Sequence, residues 1–350
     1  MRSRLPIAML GVLISLAACS SPGATPTSDS SGPVSEPVEL RLGYFPNVTH
    51  ATAIVGIEEG IIEDALGDNV TLKTQFFNAG TDVVEAIFSE ALDASYIGPN
   101  PAINAFAQSD GQAIRIIAGA ASGGASLVVS DAITSADDLA GTTLASPSLG
   151  NTQDVALRAW LSDQGYATDL EGGGDVSIMP QANGDALQAF ILGEIDGAWV
   201  PEPWATRMVE EGNGHVLVDE HDLWPDGEFV TTHLIVATSF LEEHPDVVKQ
   251  LLTGHVAANA FVNDNPERAQ EIVGAAIKEL TDTELPEGTL ASAWENLTFT
   301  VDPIASSLAT SAANATELGL LDPVDLDGIY DLTLLNEVLA ESGSDEIPTP

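Results

Sequence analysis

The sequence predicts an α/β protein built of two facing lobes, and two observations lead to this fold class. First, short strand-like segments alternate with helical ones, as in "VELRLGY" (38–44) followed by "ATAIVGIEEGII" (51–62). Such alternation is typical of parallel βαβ units. Second, residues 78–97 recur in similar form as residues 181–200, so the chain contains two similar half-domains. From Leu241 onward the pattern is almost entirely helical.

The repeat ends in an unusual loop. After an aliphatic residue, an Asp and an aromatic residue, both copies continue into Pro-x-Pro, at residues 99–101 and 201–203. The preceding helix opens with a pair typical of a capping box, Asp82 with Glu85, and the second copy has an equivalent pair. In open α/β sheets, ligands bind beyond the carboxyl ends of the strands. The two Pro-x-Pro loops are therefore predicted to border one cleft from opposite sides.

The amino-terminal segment predicts export and lipid attachment. A basic start is followed by an apolar run from Ile7 to Ala18, and residues 16–19 read Leu-Ala-Ala-Cys. This resembles the bacterial lipoprotein box, in which the chain is cut before the Cys and the Cys sulfur carries a diacylglycerol. We therefore expect residues 1–18 to be a signal peptide and Cys19 to be lipidated. Residues 19–37, rich in Ser, Pro, Thr and Gly, are predicted to be a flexible tether.

Composition excludes several functions. The formal net charge of −43 repels nucleic acid and anionic lipid, so no nucleic-acid partner is expected. Cys19 is the only cysteine, which excludes a disulfide, a thiolate metal site and a catalytic thiol. The sequence has no G-x-S-x-G, S-x-x-K or H-E-x-x-H motif, and its six histidines are scattered. We therefore expect no enzymatic activity, no cofactor and no metal. Carboxylates are abundant, so a lipid-anchored enzyme with a carboxylate pair stays as the alternative from another class.

Several segments resemble the solute-binding lipoproteins of ABC importers for aliphatic sulfonates, nitrate and taurine. They are the lipoprotein box, "RLGYFPNVTHA" (41–51), the repeat, "LASPSLGNTQDVALRAWL" (144–161) and "GEIDGAWVPEPWATR" (193–207). The resemblance implies a two-lobed periplasmic-binding-protein fold of type II, with two crossing hinge strands and a helical carboxyl-terminal segment that packs on the first lobe. The crossing strands are expected at residues 122–129 and 229–237. Lobe 1 is assigned to residues 38–124 and 235–350, and lobe 2 to residues 125–234.

The same resemblance implies a function. We expect an extracytoplasmic protein, a monomer anchored to the membrane by its lipid, that captures a small oxyanionic solute and delivers it to an ABC permease and its ATPase subunits. An aliphatic sulfonate is the first choice, with taurine, nitrate and a thiamine pyrimidine precursor as alternatives. Relatives that make the thiamine pyrimidine depend on a Cys-rich stretch, which this chain lacks.

Helix starts are the candidate oxyanion-binding elements, because their N–H groups and dipoles favour negative charge. Three such starts are predicted in the cleft, and their residues are Gly80 and Thr81, then Gly98, Pro99 and Asn100, then Gly150, Asn151 and Thr152. Asp82 is a rival occupant of the N–H groups at the first of them.

Side chains beside these starts complete the set of candidate ligand-binding residues. At the end of the first strand, Phe45 is expected as an apolar wall and Asn47 as a donor. One of Trp199 and Trp204 is expected to cover the alkyl part of the ligand, and the other to lie in the core. Glu202 either faces the cleft, where it favours an ammonium group, or is a helix-start carboxylate in solvent. His233, on the second crossing strand, completes the set.

Overall fold

The computed structural model describes residues 37–350, which carry two β-sheets covered by helices. The strands are β1 (Val38–Tyr44), β2 (Val70–Phe76), β3 (Ala94–Ile97), β4 (Ile114–Gly123), β5 (Ala125–Val129), β6 (Thr143–Ser146), β7 (Ser177–Pro180), β8 (Gly197–Pro201), β9 (His215–Asp219), β10 (Val230–Ala237) and β11 (Leu297–Thr298). The helices are α1 (Ala51–Glu58), α2 (Ile61–Leu66), α3 (Gly80–Phe88), α4 (Pro99–Gln108), α5 (Thr152–Asp163), α6 (Asn183–Ile191), α7 (Trp204–Glu210), α8 (Thr238–Glu243), α9 (Pro245–Asp264), α10 (Pro266–Thr281), α11 (Thr289–Glu295), α12 (Ala305–Glu317) and α13 (Thr333–Ser342).

The first lobe is built on a sheet of order β11-β4-β10-β3-β1-β2, and the second on a sheet of order β7-β6-β8-β5-β9. Within each sheet the βαβ strands run parallel, as β1 does with β2 and β3, and β6 with β7 and β8. The central strands β3 and β8 are buried along their whole length because helices cover both faces. The predicted α/β fold with two lobes is confirmed.

A pair of glycines carries the chain from the first sheet to the second. Gly123 ends β4 with a φ of 78° and Gly124 precedes β5 with a φ of 71°, a region that side chains other than glycine rarely adopt. The return passage is tied to this point, since the N–H of Gly123 donates to the carbonyl of Phe229 and the Thr231 hydroxyl donates to the carbonyl of Gly123. From Val230 onward, β10 pairs with β3 and β4 of the first sheet.

The carboxyl-terminal helices complete the first lobe. Residues of α9, α10, α12 and α13 join the strands of the first sheet in one hydrophobic core, while separate clusters cover the two faces of the second sheet. The short strand β11 pairs with β4 next to the glycine pair. The carboxyl-terminal segment therefore reaches the place where the chain passes between the lobes.

Within residues 37–350, no helix combines the length and the apolar character that crossing a bilayer requires. The predicted signal peptide, the lipidated Cys19 and nearly all of the predicted tether lie outside the described residues. The predicted lobe boundaries stay a prediction.

Candidate functional site

A cavity lies between the lobes, where the strands of both sheets end. From the first lobe it is lined by Phe45, Asn47, Thr49, His50, Asn78, Ala79, Gly80, Gly98, Pro101 and Thr231. From the second lobe it is lined by Pro147, Asn151, Thr152, Gln153, Asn183 and Pro201. The volume open to the centre of a water-sized molecule is ≈ 40 Å³. One water requires about 10–15 Å³ on this measure, so the cavity fits a small polar group.

Helix N-termini from both lobes converge on this cavity. The lining residues include the starts of α3, at Gly80, and of α6, at Asn183, together with Gly98 and Asn151, which precede α4 and α5. A helix start carries unpaired N–H groups and a partial positive charge, and it favours an anion. In α4, Pro99 and Pro101 have no N–H, so Asn100 is the residue of the first three that keeps one.

Three of these helices, α3, α4 and α6, begin without a side-chain cap. The residues that precede α3 and α6 are Ala79 and Ala182, which have no hydrogen-bond acceptor in their side chains. The predicted capping boxes are therefore wrong. They fail because each helix begins at Gly80 or Asn183, so that Asp82 and its counterpart lie inside the first turn. Across residues 37–350, the Asp82 carboxylate accepts no hydrogen bond, and it is no rival occupant of the α3 start.

The loop before α5 is held rigidly. Asn151 caps this helix, with its Oδ1 accepting from the N–H groups of Gln153 and Asp154 at 3.0 and 3.2 Å. Asp154 is fully buried, and its carboxylate accepts from the Ser146 hydroxyl at 2.6 Å and from the Gly150 N–H at 2.9 Å. Arg158 neutralises that carboxylate at 2.9 Å in a buried pair. These contacts fix the backbone at the second-lobe side of the cavity.

The lobes approach each other so closely that only glycine fits at one point. A Cβ atom on Gly98 would lie 2.5 Å from the Oγ1 of Thr152, which belongs to the opposite lobe. A Cβ atom on Gly80 would lie 2.3 Å from the Cγ of Pro101. A side chain at either position displaces its neighbour. At Gly98 the displaced neighbour is the other lobe, so this glycine permits the closed arrangement.

Two asparagines in the lining have their acceptor atoms occupied by the protein. Asn47 Oδ1 accepts from the indole Nε1 of Trp204 at 2.9 Å, and Asn151 Oδ1 caps α5 as described above. Each side chain therefore keeps its Nδ2 donor for another partner.

His50 follows the same pattern, because its Nδ1 accepts from the backbone N–H of Phe45 at 3.3 Å. The Phe45 ring packs edge-on against the imidazole with 4.7 Å between centroids, and His50 is 3 % exposed. Burial lowers the pKa of His50 to about 3, so the imidazole is neutral at pH 7. Among the described residues, those that line the cavity include no Asp, Glu, Lys or Arg. An anion in it is balanced by neutral donors and helix starts.

The structure brings six of the thirteen predicted ligand residues together. Phe45, Asn47, Gly80, Gly98, Asn151 and Thr152 line the cavity. Their near neighbours Thr81, Pro99, Asn100 and Gly150 do not: Thr81 is exposed, and Asn100 turns its amide towards the carbonyl of Ser311 at 3.4 Å. Gly150 instead donates its N–H to Asp154, as described above. His233 is also outside the lining, buried with its Nε2 3.1 Å from the carbonyl oxygen of Pro303.

Glu202 occupies neither of the two predicted positions. It does not line the cavity and it does not face solvent, since it is 1 % exposed. Its carboxylate accepts from the N–H and hydroxyl of Thr206 at 3.1 and 3.0 Å, and from the Nδ2 of Asn296 at 2.7 Å. Burial raises its pKa, although these bonds act in the opposite direction. The carboxylate therefore joins α7 to the carboxyl-terminal segment.

The two tryptophans lie in different surroundings. Trp199 is fully buried in the core of the second lobe, where its Nε1 donates to Glu220 Oε2 at 2.7 Å. Trp204 lies half-buried at the cleft, between Asn47 and the Arg207 guanidinium, which is 4.9 Å from its ring centroid. Whether its indole covers an alkyl group stays a prediction.

Several lining residues were not predicted from the sequence, namely Thr49, His50, Asn78, Pro147, Gln153, Asn183 and Thr231. The repeat held a signal for two of them. Shifting by 103 residues places Asn78-Ala79-Gly80 over Gln181-Ala182-Asn183, and each of these triplets contributes to the lining. His50 gave no such signal, because a histidine beside an apolar helix is more often a core residue than a ligand.

In the described part of the chain, no three His, Cys, Asp or Glu side chains are grouped so that they could hold a metal ion.

Comparison with known proteins agrees with this geometry. The taurine-binding periplasmic protein of Escherichia coli is 27% identical over 200 residues, which cover 56% of this chain and 59% of that protein. A Brucella abortus protein named as a binding protein is 26% identical over 244 residues, 69% of this chain and 72% of that protein. The alkanesulfonate-binding protein of Xanthomonas axonopodis superposes with a TM-score of 0.68 at 17% identity, covering 82% of this chain and 96% of that one. The periplasmic nitrate-binding protein of Synechocystis gives 0.71 at 15% identity, covering 87% and 89%.

The two sheets, the double passage between them and the polar cavity at their interface give the chain the fold of the periplasmic binding proteins. The chain belongs to the NMT1-like family, whose model matches residues 34–277.

Proposed function

We propose that this protein captures a small oxyanionic solute, with an aliphatic sulfonate as first choice, and presents it to an ABC permease and its ATPase subunits. The observation that carries the proposal is the convergence of helix starts from both lobes on one small cavity. A solute held there contacts both lobes at once. Its binding energy therefore stabilises the closed arrangement, and closure reports the bound solute to the permease.

The charges of the lining support an anion over a zwitterion. A taurine ammonium buried beside the cavity has no carboxylate partner among the described lining residues, and Glu202 is occupied elsewhere. An unpaired buried charge costs several kcal/mol, so we place taurine behind a simple alkanesulfonate. The overall charge of −43 does not exclude an anion, because the field of exposed charges decays over about 8 Å at physiological salt.

Nitrate is the second candidate, because the cavity is small. The ≈ 40 Å³ volume suits a compact planar oxyanion, whereas the alkyl chain of a sulfonate has to extend towards Trp204 at the cleft. A thiamine pyrimidine precursor and an enzymatic function have no comparable support. The relatives named above are binding proteins.

We place the protein outside the cytoplasm, held to the membrane by lipid on Cys19 and acting as a monomer. The lipoprotein box and the tether-like composition of residues 19–37 support this placement. The tether allows the folded part to reach a permease in the same membrane.

A ligand panel tests the proposal. The purified processed protein is to be titrated by calorimetry and thermal shift with methanesulfonate, ethanesulfonate, taurine, nitrate, sulfate and the thiamine pyrimidine. We expect an alkanesulfonate to bind most tightly, and a ligand at a hundred times its Kd to stabilise the protein by about 2.7 kcal/mol. Binding of nitrate alone selects the second candidate, and absence of binding by every oxyanion refutes the proposal.

A pair of matched variants tests whether the ligand lies between the lobes. Gly98→Ala places a Cβ atom 2.5 Å from Thr152 Oγ1, whereas Gly184→Ala, also near the cleft, places one 3.6 Å from the nearest atom of Trp204. We expect the first change to weaken binding by blocking closure and the second to leave it unchanged. Equal affinities for both variants place the site elsewhere.

A further inference from the structure

We propose that His50 contacts the solute as a neutral hydrogen-bond donor with a fixed tautomer, and that it restricts the cavity to solutes whose buried end carries only acceptors. The inference rests on the proposed function, namely that this cavity binds a solute. It concerns a residue that is buried, lines the cavity and belongs to the loop between β1 and α1.

The tautomer follows from the partner of Nδ1. A backbone N–H can only donate, so the Phe45 N–H 3.3 Å from Nδ1 requires an acceptor there. In a neutral imidazole the other nitrogen then carries the proton, which places an N–H donor at Nε2. Within the described residues Nε2 has no hydrogen-bond partner. The edge-on contact with the Phe45 ring holds the imidazole in this orientation.

The imidazole stays neutral over the physiological range because it is buried, and burial is the cause of its lowered pKa. The elements packed against residues 48–50 are α1, β4, β10 and α11. Their charged or titratable residues are Glu58, Arg115, His233 and Glu295. None of these lines the cavity or bonds to His50 in the described part of the chain. The donor at Nε2 is therefore present without a positive charge.

Two further amides of the lining make the same selection. The acceptor atoms of Asn47 and Asn151 are occupied by Trp204 and by the α5 start, so both present Nδ2. The remaining lining amides, those of Asn78, Gln153 and Asn183, have no donor on their acceptor oxygen among the described residues, but a half-turn of a side-chain amide exchanges its oxygen for its NH₂ group. A sulfonate or nitrate satisfies such donors completely. A protonated acid places its O–H group against an N–H donor of the cavity. Neither donor then has an acceptor, and this lowers the affinity of the protein for the protonated acid.

The first test needs no substitution. Long-range proton–nitrogen spectra of the imidazole in the ¹⁵N-labelled processed protein report which nitrogen carries the proton. We expect the His50 proton on Nε2 at every pH from 5 to 8, with a change in its shift on adding methanesulfonate. A proton on Nδ1, titration within this range, or an unperturbed Nε2 at saturating methanesulfonate overturns the inference.

The second test uses two ligands of the same shape. Methanesulfonate carries no proton between pH 5.5 and 8.5, whereas methylphosphonate keeps one at the acidic end and loses it towards the basic end. We expect the methanesulfonate Kd to stay constant, and methylphosphonate to bind at least about tenfold more tightly at pH 8.5 than at pH 5.5. Equal pH profiles for the two ligands contradict the selection.

The third test separates the donor from the shape of the side chain. His50→Phe keeps a planar ring without a donor, and His50→Gln keeps an N–H donor. We expect the methanesulfonate Kd to rise about 10- to 100-fold in His50→Phe, the range for the loss of a hydrogen bond to a charged group. In His50→Gln, we expect the Kd to rise by less than about fivefold. If the wild-type protein binds oxyanions and His50→Phe binds them equally well, this inference fails and the proposed function stands. If the wild-type protein binds none of them, the proposed function fails, and the imidazole spectrum still decides the tautomer.

Discussion

The indole Nε1 of Trp204 donates to the Oδ1 of Asn47 across the cleft at 2.9 Å. Trp204 begins α7 in the second lobe, and Asn47 follows β1 in the first. The Arg207 guanidinium lies over the indole on the side of the second lobe. The bond forms only when the lobes are together, so it stabilises the closed arrangement in addition to anything the solute contributes.

Replacing Trp204 with Phe is expected to weaken solute binding. The change removes the bond across the cleft, which contributes about 0.5–1.5 kcal/mol, and so raises the Kd about 2- to 13-fold. The loss is expected in the dissociation rate, since the bond forms after the solute has entered, and stopped-flow fluorescence with methanesulfonate measures it. The melting temperature without solute is expected to change little.

A double-mutant cycle supplies the control. Asn47→Ala removes the partner of Trp204 and also a donor of the lining, so this single change is expected to lower the affinity for the solute more than Trp204→Phe does. In the double variant, the loss of binding free energy is expected to be smaller than the sum of the losses in the two single variants. Strict additivity shows that Trp204 acts independently of Asn47.

Thr152 and Asn100 are expected to respond differently, although the sequence assigned both to the ligand. Thr152→Ala is expected to weaken binding by about 0.5–3 kcal/mol, because Thr152 lines the cavity. Asn100→Ala is expected to lower the free energy of unfolding, because its amide contacts the Ser311 carbonyl outside the lining. Calorimetry and urea unfolding of both variants measure the contrast, and a large loss of affinity in Asn100→Ala refutes it.

Glu220 is expected to make stability depend on pH. Burial raises its pKa to about 7, against the opposing hydrogen bonds from Trp199 and Trp224. Between pH 4.5 and 7 the folded protein therefore holds a proton that the unfolded chain releases, so this stabilising contribution is full at low pH and is lost as pH rises. We expect the free energy of unfolding of the wild type, minus that of Glu220→Gln, to fall by about 3 kcal/mol across this window.

Urea unfolding at constant ionic strength measures this difference. Glu194→Gln, an exposed change in the same lobe, is the control and is expected to show no such slope. If the difference between wild type and Glu220→Gln is flat with pH, folding does not raise the pKa of Glu220.

A capping residue added at the uncapped start of α6 is expected to raise the stability of the protein and to weaken solute binding. Ala182→Thr supplies an acceptor for the free N–H groups, whereas Ala182→Val has the same shape and supplies none. We expect the Thr variant to be more stable than the Val variant by about 0.5–2 kcal/mol without solute, and to bind methanesulfonate more weakly. Chemical unfolding and calorimetry of the pair test this, and a Thr variant that binds as tightly as Val removes these N–H groups from the site.

The proposed anchor at Cys19 has its own test. Cys19→Ala is expected to release the protein from membranes or to block its processing, because the acyl chains are attached through that sulfur. Fractionation of cells that express each form measures it. A variant that stays processed and membrane-bound contradicts the lipid anchor.

The sequence predicted the position of the cleft well because the repeat is a geometric signal. Equivalent strands end at equivalent edges, so Gly98 and Pro201 were expected at one cavity, and both line it. The helix starts were harder to predict. Asp82 satisfies the sequence pattern of a capping box, but α3 begins at Gly80, whose backbone lies close against Pro101.

The surroundings of Glu202 and the position of His50 at the cavity were not predicted, for a different reason. The surroundings of a side chain depend on residues distant in sequence, and Glu202 is buried by Asn296, 94 positions away. The environment of His50 is local, yet the pattern of its neighbours does not distinguish a core histidine from one at a cavity. Its burial and its tautomer become visible only in the folded loop, where the N–H and the ring of Phe45 contact the imidazole.

The uncapped starts of α3 and α6 limit how far the stability of this protein can be raised without loss of solute binding. Screening for resistance to heat favours any residue that caps a helix, and Ala79 and Ala182 are the places where such a residue gives an immediate gain. A library selected for thermostability alone is therefore expected to fill these positions with Ser, Thr or Asp. Its most heat-resistant members are expected to bind solute more weakly, so any selection for a more stable variant has to include an assay of solute binding.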